Sequence, residues 1–194
     1  MPDAPSPANA RVDVLLTGSV GPNVVSTCSL ITDGDAVIVV DPGLAPSQEA
    51  ILGPLRQAGF GPDAVTDVVI SHHHPDHALN VALFPNARVH DHWAVYDFTG
   101  RWDDVECEGR AISPSVSLIR TPGHTEEDLS TVALTDDGTV VCTHLWWTDA
   151  GPAEDPYAPD PSVLHASRRR VLELADLIVP GHGGPFAPSD RTPG

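Results

Sequence analysis

The stretch SHHHPDH, residues 71 to 77, puts four histidines and an aspartate into seven positions directly after the β-branched run Ala64 to Ile70. His72 and His74 stand two apart on an extended segment, so both side chains point to one side. Asp76 and His77 begin the next helix and point to a neighbouring spot. One short loop can therefore supply ligands to two adjacent metal positions. His73 points away from its neighbours and reads as exposed or supporting.

Three further histidines share this setting, each just after a strand and beside small or turn-forming residues: His124 in TPGHT, His144 in CTHLWW and His182 in PGHGG. Active-site groups favour such strand-end loops. Imidazole and carboxylate ligands together suit zinc, with iron or manganese as alternatives.

The rest of the chain bounds what this cluster can serve. With 194 residues and 41% hydrophobic content, the expected organisation is one domain over residues 11 to 194. Met1 to Ala10 reads as a disordered lead-in, neither signal peptide nor packed strand. No stretch approaches the roughly 20 apolar residues of a membrane helix, so the expectation is a soluble, cytoplasmic protein without a membrane partner. Cys28, Cys107 and Cys142 are too few and too irregularly spaced for a disulfide framework and read as free thiols. Cys142 lies two residues before His144 and is an outside candidate for a soft ligand. A formal net charge of −17 repels polyanions at long range, which disfavours nucleic acid as a partner. Arg168-Arg169-Arg170 reads as a solvated helix face.

Strands are expected at Val12 to Leu16, Ser26 to Ile31 and Ala36 to Val40, the last two joined by hairpin chemistry at Thr32 to Asp35. Ser47 to Ala58 reads as a helix with a serine cap, spaced Ile51 and Leu55, and Gly59 as its stop. Ala64 to Ile70 is a strand, His77 to Leu83 a short helix, and Ala87 to Val89 a strand. The stretch from there through Cys107 has no clear pattern. Strands follow at Val116 to Arg120, Leu129 to Leu134 and Thr139 to His144. After a Pro/Asp-rich loop, Ser162 to Ala175 is a helix with Val163, Val171, Leu172 and Ala175 on its apolar side, and Leu177 to Val179 is the last strand. Antiparallel runs each followed by helices imply an α/β (α+β) fold of two sheets packed face to face and covered by helices.

HHHPDH, preceded by DPG and followed by TPGHT and PGHG, resembles the metallo-β-lactamase fold superfamily and its HxHxDH signature. The resemblance runs from about Val12 to Phe186 and implies an αββα sandwich with a metal site on one edge. By motif match it implies that His72, His74 and His124 bind one metal, that Asp76, His77 and His182 bind a second, and that Asp41 of DPG braces the histidine loop. SRRRVLELADLIVPGHGGPF and SHHHPDHALNVALFPNARV are further similar to small animal metallo-β-lactamase-domain-containing proteins. Those have been linked to RNA cleavage, a substrate that the acidity of this chain does not favour.

The chain departs from the family pattern at one place. Family members carry Gly-Asp at the end of the strand before the last helix, and that aspartate bridges both metals; here the pair is Thr143-His144. A carboxylate can bridge ions roughly 3.5 to 4 Å apart, whereas an imidazole uses opposite sides of its ring and cannot hold them that close. His144 is therefore expected to bind one metal at most. The outcomes are a dinuclear site bridged by hydroxide alone, one strong and one weak site, or a single metal, with two zinc ions per chain favoured.

The expected activity is that of a metal-dependent hydrolase whose metal-bound hydroxide attacks a small ester, lactone, thioester or amide. Asp76 is the best-placed general acid or base. A phosphodiesterase or ribonuclease using the same site is one alternative; a mononuclear-iron oxygenase or metal-binding sensor is another. Trp93, Trp146 and Trp147 are candidate pocket walls, with Tyr96 and Tyr157 nearby in the sequence. His90 and His92 have the ligand residue type but fall outside the motif. A homodimer is compatible with the sequence.

Overall fold

In a computed structural model, which describes residues 9–194, the chain forms two mixed sheets. The first runs β1(Arg11–Leu16), β2(Cys28–Asp33), β3(Ala36–Val40), β4(Asp67–Val69), β5(Arg88–His90), β6(Ala94–Tyr96) and β7(Trp102–Asp104) in sequence order. The second has five strands in the order β12(Leu177–Pro180), β11(Gly138–Thr143), β10(Leu129–Thr135), β9(Val116–Arg120) and β8(Ala111–Ser113). β3, β4 and β5 pair in parallel, as do β11 and β12; the other pairs are antiparallel. The helices are α1(Glu49–Gln57), α2(Pro75–Ala78) and α3(Pro161–Leu172).

Alternation along the strands explains the layers, because successive side chains leave a strand on opposite faces. In β3, Ile38 and Val40 face the second sheet and meet Leu118, Leu129, Val140 and Val179, while Val37 and Val39 face α1 and meet Ile51 and Leu55. On the far side, Val141 and Ile178 pack against Leu164 and Val171 of α3. Three cores separate four layers, the αββα sandwich. Two backbone bonds tie the sheets at one edge, Leu129 N to Ser71 O at 3.0 Å and Thr27 N to Gly181 O at 2.7 Å.

Several local expectations are corrected. The lead-in expected over residues 1 to 10 falls, for residues 1 to 8, outside the described residues. Ala10 is buried, and its N–H donates to Leu134 O. Ser47 does not cap α1; the helix starts later, after Gln48, with no side-chain cap. The strand expected from Ala64 shortens because Pro62–Ala64 forms a 3-10 turn. β6 and β7 emerge from the stretch without a clear pattern, and β8 follows just beyond it: each has three residues, and β7 is wholly exposed.

Arg168 is the largest departure. Far from being solvated, it is fully buried, and its guanidinium donates to Leu145 O at 3.0 and 2.9 Å, to Pro152 O at 2.7 Å and to Ala153 O. The period of α3 puts Leu164, Arg168 and Val171 on the inner face, while Val163 is exposed. Arg170 pairs with Glu108, and Arg169 stays in solvent.

Candidate metal centre

The candidate site residues gather where strands end. β3 runs into Asp41, β4 into the histidine loop, β9 into His124, β11 into His144 and β12 into His182. Two close approaches let these ends meet. A Cβ on Gly43 would stand 1.5 Å from Asp76 O, and one on Gly181 would stand 2.3 Å from His144 Cδ2. Both positions therefore require glycine.

The donors form two adjoining groups. In the first, His74 Nδ1 lies 3.0 Å from His72 Nε2 and 3.1 Å from His124 Nε2. In the second, Asp76 Oδ2 lies 3.3 Å from His77 Nε2 and 3.7 Å from His182 Nε2. His144 sits between them. Its Nε2 is 3.0 Å from His182 Nε2, and it can join either His72 and His124 or His77 and His182 as a set of donors within 4.8 Å of one another.

The other ring nitrogens are held from outside. Asp41 Oδ2 faces His77 Nδ1 at 2.8 Å, and the same carboxylate accepts from Ser71 N at 2.7 Å and Ser71 Oγ at 2.8 Å. Asp41 carries φ 52, an uncommon left-handed conformation, and so aims its side chain under the loop. Asp155 Oδ2 faces His124 Nδ1 at 2.8 Å and also accepts from Trp147 Nε1 at 2.8 Å. Val25 O faces His182 Nδ1 at 2.9 Å, and Ser71 Oγ faces His72 Nδ1 at 3.1 Å. A proton on each Nδ1 leaves the Nε2 lone pair turned inward, the arrangement typical of metal-binding imidazoles.

Burial, reinforced by neighbouring imidazoles, pushes His72 and His144 well below the usual histidine range, and His74 also falls. Burial lowers His182 as well. Asp76 is held at about 2: burial opposes its charge, but His77 beside it prevails. His72, His74, His144 and His182 are thus neutral beside an ionised Asp76. At His77 burial is outweighed by Asp41 and Asp76, which raise its ring to about 9, so a bound cation would have to displace the proton that they stabilise there. His77 Nε2 and His144 Nδ1 are buried without a hydrogen-bond partner among the described residues, and leaving such atoms unmet costs about 1 to 3 kcal/mol each. Inward lone pairs, orphaned nitrogens and one carboxylate fit a divalent cation.

The centre opens into a cleft of about 410 Å³ lined by His74, Asp76, His124 and His182 on the polar side and by Val20, Val24, Leu44, Pro75, Trp147 and Tyr157 on the apolar side. Trp147 and Tyr157 stack, with ring centroids 5.9 Å apart. Two expected walls are corrected. Trp146 is fully buried against α3, and Trp93 packs on Trp102 beside β7, away from the cleft. Cys142 belongs to the core between the sheets, where burial pushes its thiol up to about 12. His90 is a structural residue paired with Asp67 at 2.7 Å. Val20, Val24, Leu44 and the bracing Asp155 escape sequence reading. Asp155 lies among several acidic residues of a loop with no distinguishing spacing.

Asp155→Ala should leave the fold intact by circular dichroism and weaken metal affinity about 10- to 100-fold, the usual cost of removing a partner that orients a ligating histidine. Equilibrium dialysis of the variant against the natural chain checks this.

Two mixed sheets with outer helices and a histidine cluster across one edge define a metal-binding αββα sandwich. The model of the metallo-beta-lactamase superfamily matches residues 21–182, and the chain belongs to that superfamily. A Xenopus laevis relative called metallo-beta-lactamase domain-containing protein 1 is 32% identical over 191 residues, covering 90% of this chain and 80% of its own. The human protein of the same name is 38% identical over 159 residues and covers 77% of this chain, while the match spans 59% of the human length. Among solved structures, a Thermotoga maritima protein superposes with a TM-score of 0.73 at 23% identity, over 93% of this chain and 100% of that one. A B. thuringiensis AiiA variant with N-decanoyl-L-homoserine bound at its active site superposes with a TM-score of 0.67 at 20% identity, over 91% of this chain and 94% of that one. At these identities the structural likeness establishes the fold. Among the described residues no helix is long and apolar enough to cross a membrane.

Proposed function

We propose that the protein is a two-zinc hydrolase of small esters or lactones that carry an apolar acyl chain. The observation that carries this reading is the apolar cleft of Val20, Val24, Leu44, Trp147 and Tyr157 opening directly onto the imidazole cluster. His72, His74 and His124 would hold one ion, and Asp76, His77 and His182 the other, with His144 joining one of the two. When bound, the ions lower the pKa of a coordinated water towards about 7 and polarise the carbonyl oxygen.

The protein's own part is placement and exclusion. Asp41 and Asp155 fix the rings of His77 and His124 by their Nδ1 atoms. Asp76, ionised at about 2, has no proton to donate at neutral pH, so its role is that of ligand and hydrogen-bond acceptor rather than general acid. Trp147 and Tyr157 form one stacked wall that keeps water from the acyl chain, while Val20, Val24 and Leu44 form the other. This cleft suits a neutral substrate. All 10 cationic residues of the chain are arginines, and none lines it, so a phosphodiester or RNA strand finds no counter-charge beyond the metals themselves.

A series of acyl lactones, aryl esters and thioesters, run beside a bis-aryl phosphodiester, tests the reading. We expect lactone or ester hydrolysis that is lost on chelation and restored by zinc. kcat/KM should rise by up to roughly fourfold per added CH2, the value of burying one methylene at about 0.8 kcal/mol. Leu44→Asp should flatten that dependence. Turnover of the phosphodiester alone would move the function to the nuclease class, and oxygen consumption with bound iron would move it to the oxygenases.

A further inference from the structure

The histidine loop has a second face. His73 turns away from the main cluster, and its ring centroid lies 5.9 Å from that of His92, in the turn after β5. His73, His92 and Glu127 form a further group of donors, all within 4.8 Å of one another, outside the centre described above. Glu127 Oε1 is 3.0 Å from His73 Nδ1, and Glu127 Oε2 is 3.7 Å from His92 Nδ1. Ligands about 2.1 Å from a tetrahedral zinc stand about 3.4 Å apart, so these separations need only small adjustments.

Two observations point past a chance grouping. On the far side of the His73 ring, Asp91 Oδ2 lies 3.4 Å from Nε2. Asp91 is itself buried and fixed, its Oδ1 accepting from Trp93 N at 3.0 Å and Ala94 N at 2.7 Å. A carboxylate anchored behind a histidine whose other nitrogen faces a ligand set is the second half of many metal sites, and Asp41 and Asp155 serve the main centre in the same way. The other observation is His92 Nδ1, which is buried and has no hydrogen-bond partner among the described residues. An ion pair of His73 with its two carboxylates accounts for His73 but leaves His92 Nδ1 with only Glu127 Oε2 at 3.7 Å, too far for a hydrogen bond. A cation among the three donors satisfies both rings.

We propose that His73, His92 and Glu127 form an accessory site for a divalent transition ion, zinc above all, with Asp91 orienting His73. Two imidazoles and one carboxylate are a usual zinc set, and the side chain of His73, 40% exposed, leaves the fourth position open to water. The ion would tie together three segments: the histidine loop, the turn after β5 and the residues just before β10. It would thus fasten from behind the loop that carries His72 and His74.

The test uses the protein as purified, dialysed against micromolar zinc chloride, with metal per chain read by plasma mass spectrometry. The natural chain should retain one zinc equivalent more than His92→Gln or Glu127→Gln, and added zinc should raise the melting temperature of the natural chain further than that of either variant. Glu127→Gln keeps the side-chain size and provides the comparison if His92→Gln fails to fold. Equal metal content in the natural chain and the folded variants overturns the proposal. So does the loss of two equivalents from either variant, because that would make the outer residues part of the main centre.

Discussion

Replacing His72 by alanine should cost more activity than any change outside the donor set and should release bound metal without unfolding the chain. His72 is buried, and its Nε2 stands 3.0 Å from His74 Nδ1. Its ring also packs against those of His77, His124 and His144, with centroids 4.4, 5.1 and 4.7 Å away. The substitution leaves only His74 and His124 in the first group, too few to hold an ion tightly unless His144 takes the place of the lost ring. Removing a residue that merely orients a ligand costs about 10- to 100-fold, so removing the ligand should cost more than about 100-fold in kcat/KM. The fold should survive, because none of the three apolar cores includes His72. Activity close to that of the natural chain would place the chemistry elsewhere.

Arg168→Met should produce the largest loss of stability of any single change on α3. The guanidinium answers three carbonyls, those of Leu145, Pro152 and Ala153, from a site with no solvent access, and it lies 5.5 Å from the centroid of Trp146. Methionine fills most of the volume but leaves those oxygens without donors. At about 1 to 3 kcal/mol for each unmet group, and allowing for partial rehydration, the loss is about 3 to 5 kcal/mol. Melting temperature should fall by roughly 6 to 20 °C for a domain of this size. Lysine should not rescue it, since one ammonium lacks the planar fork that spans several carbonyls. Arg169→Met, on the exposed face, should change stability by less than about 0.5 kcal/mol. The effect should also reach the metal centre, because Pro152 and Ala153 lead into Asp155, the partner of His124. A melting curve and a metal titration on the same samples check both parts.

The two residues show what a single sequence reveals and what it hides. His72, His74, Asp76 and His77 are legible because their spacing alone places them together, and strand-end context draws in His124, His144 and His182. The position of His144 between the two donor groups follows from its place at the end of β11. Arg168 was illegible because charge in a helix ordinarily marks its wet face. Only the carbonyls of a loop distant in sequence make its burial affordable. The same holds for Asp155 and for Val20, Val24 and Leu44, which acquire meaning through tertiary contacts and not through local pattern. Trp93 and Trp146 failed as pocket residues for the converse reason: aromatic type suggested a wall, while packing against Trp102 and against α3 decided their place. Short edge strands such as Trp102–Asp104 carry too few residues for periodicity to register.

The proposed two-ion centre draws on seven donors across one sandwich edge, with His144 where the superfamily's usual bridge is a carboxylate. Its most direct test is the metal content per chain of protein purified without added metal, measured on His92→Gln so that the outer cluster does not contribute. Close to two equivalents of zinc are expected, falling by at least one in the additional presence of His72→Ala. A single equivalent, above all of iron, or no change on losing His72, would contradict it.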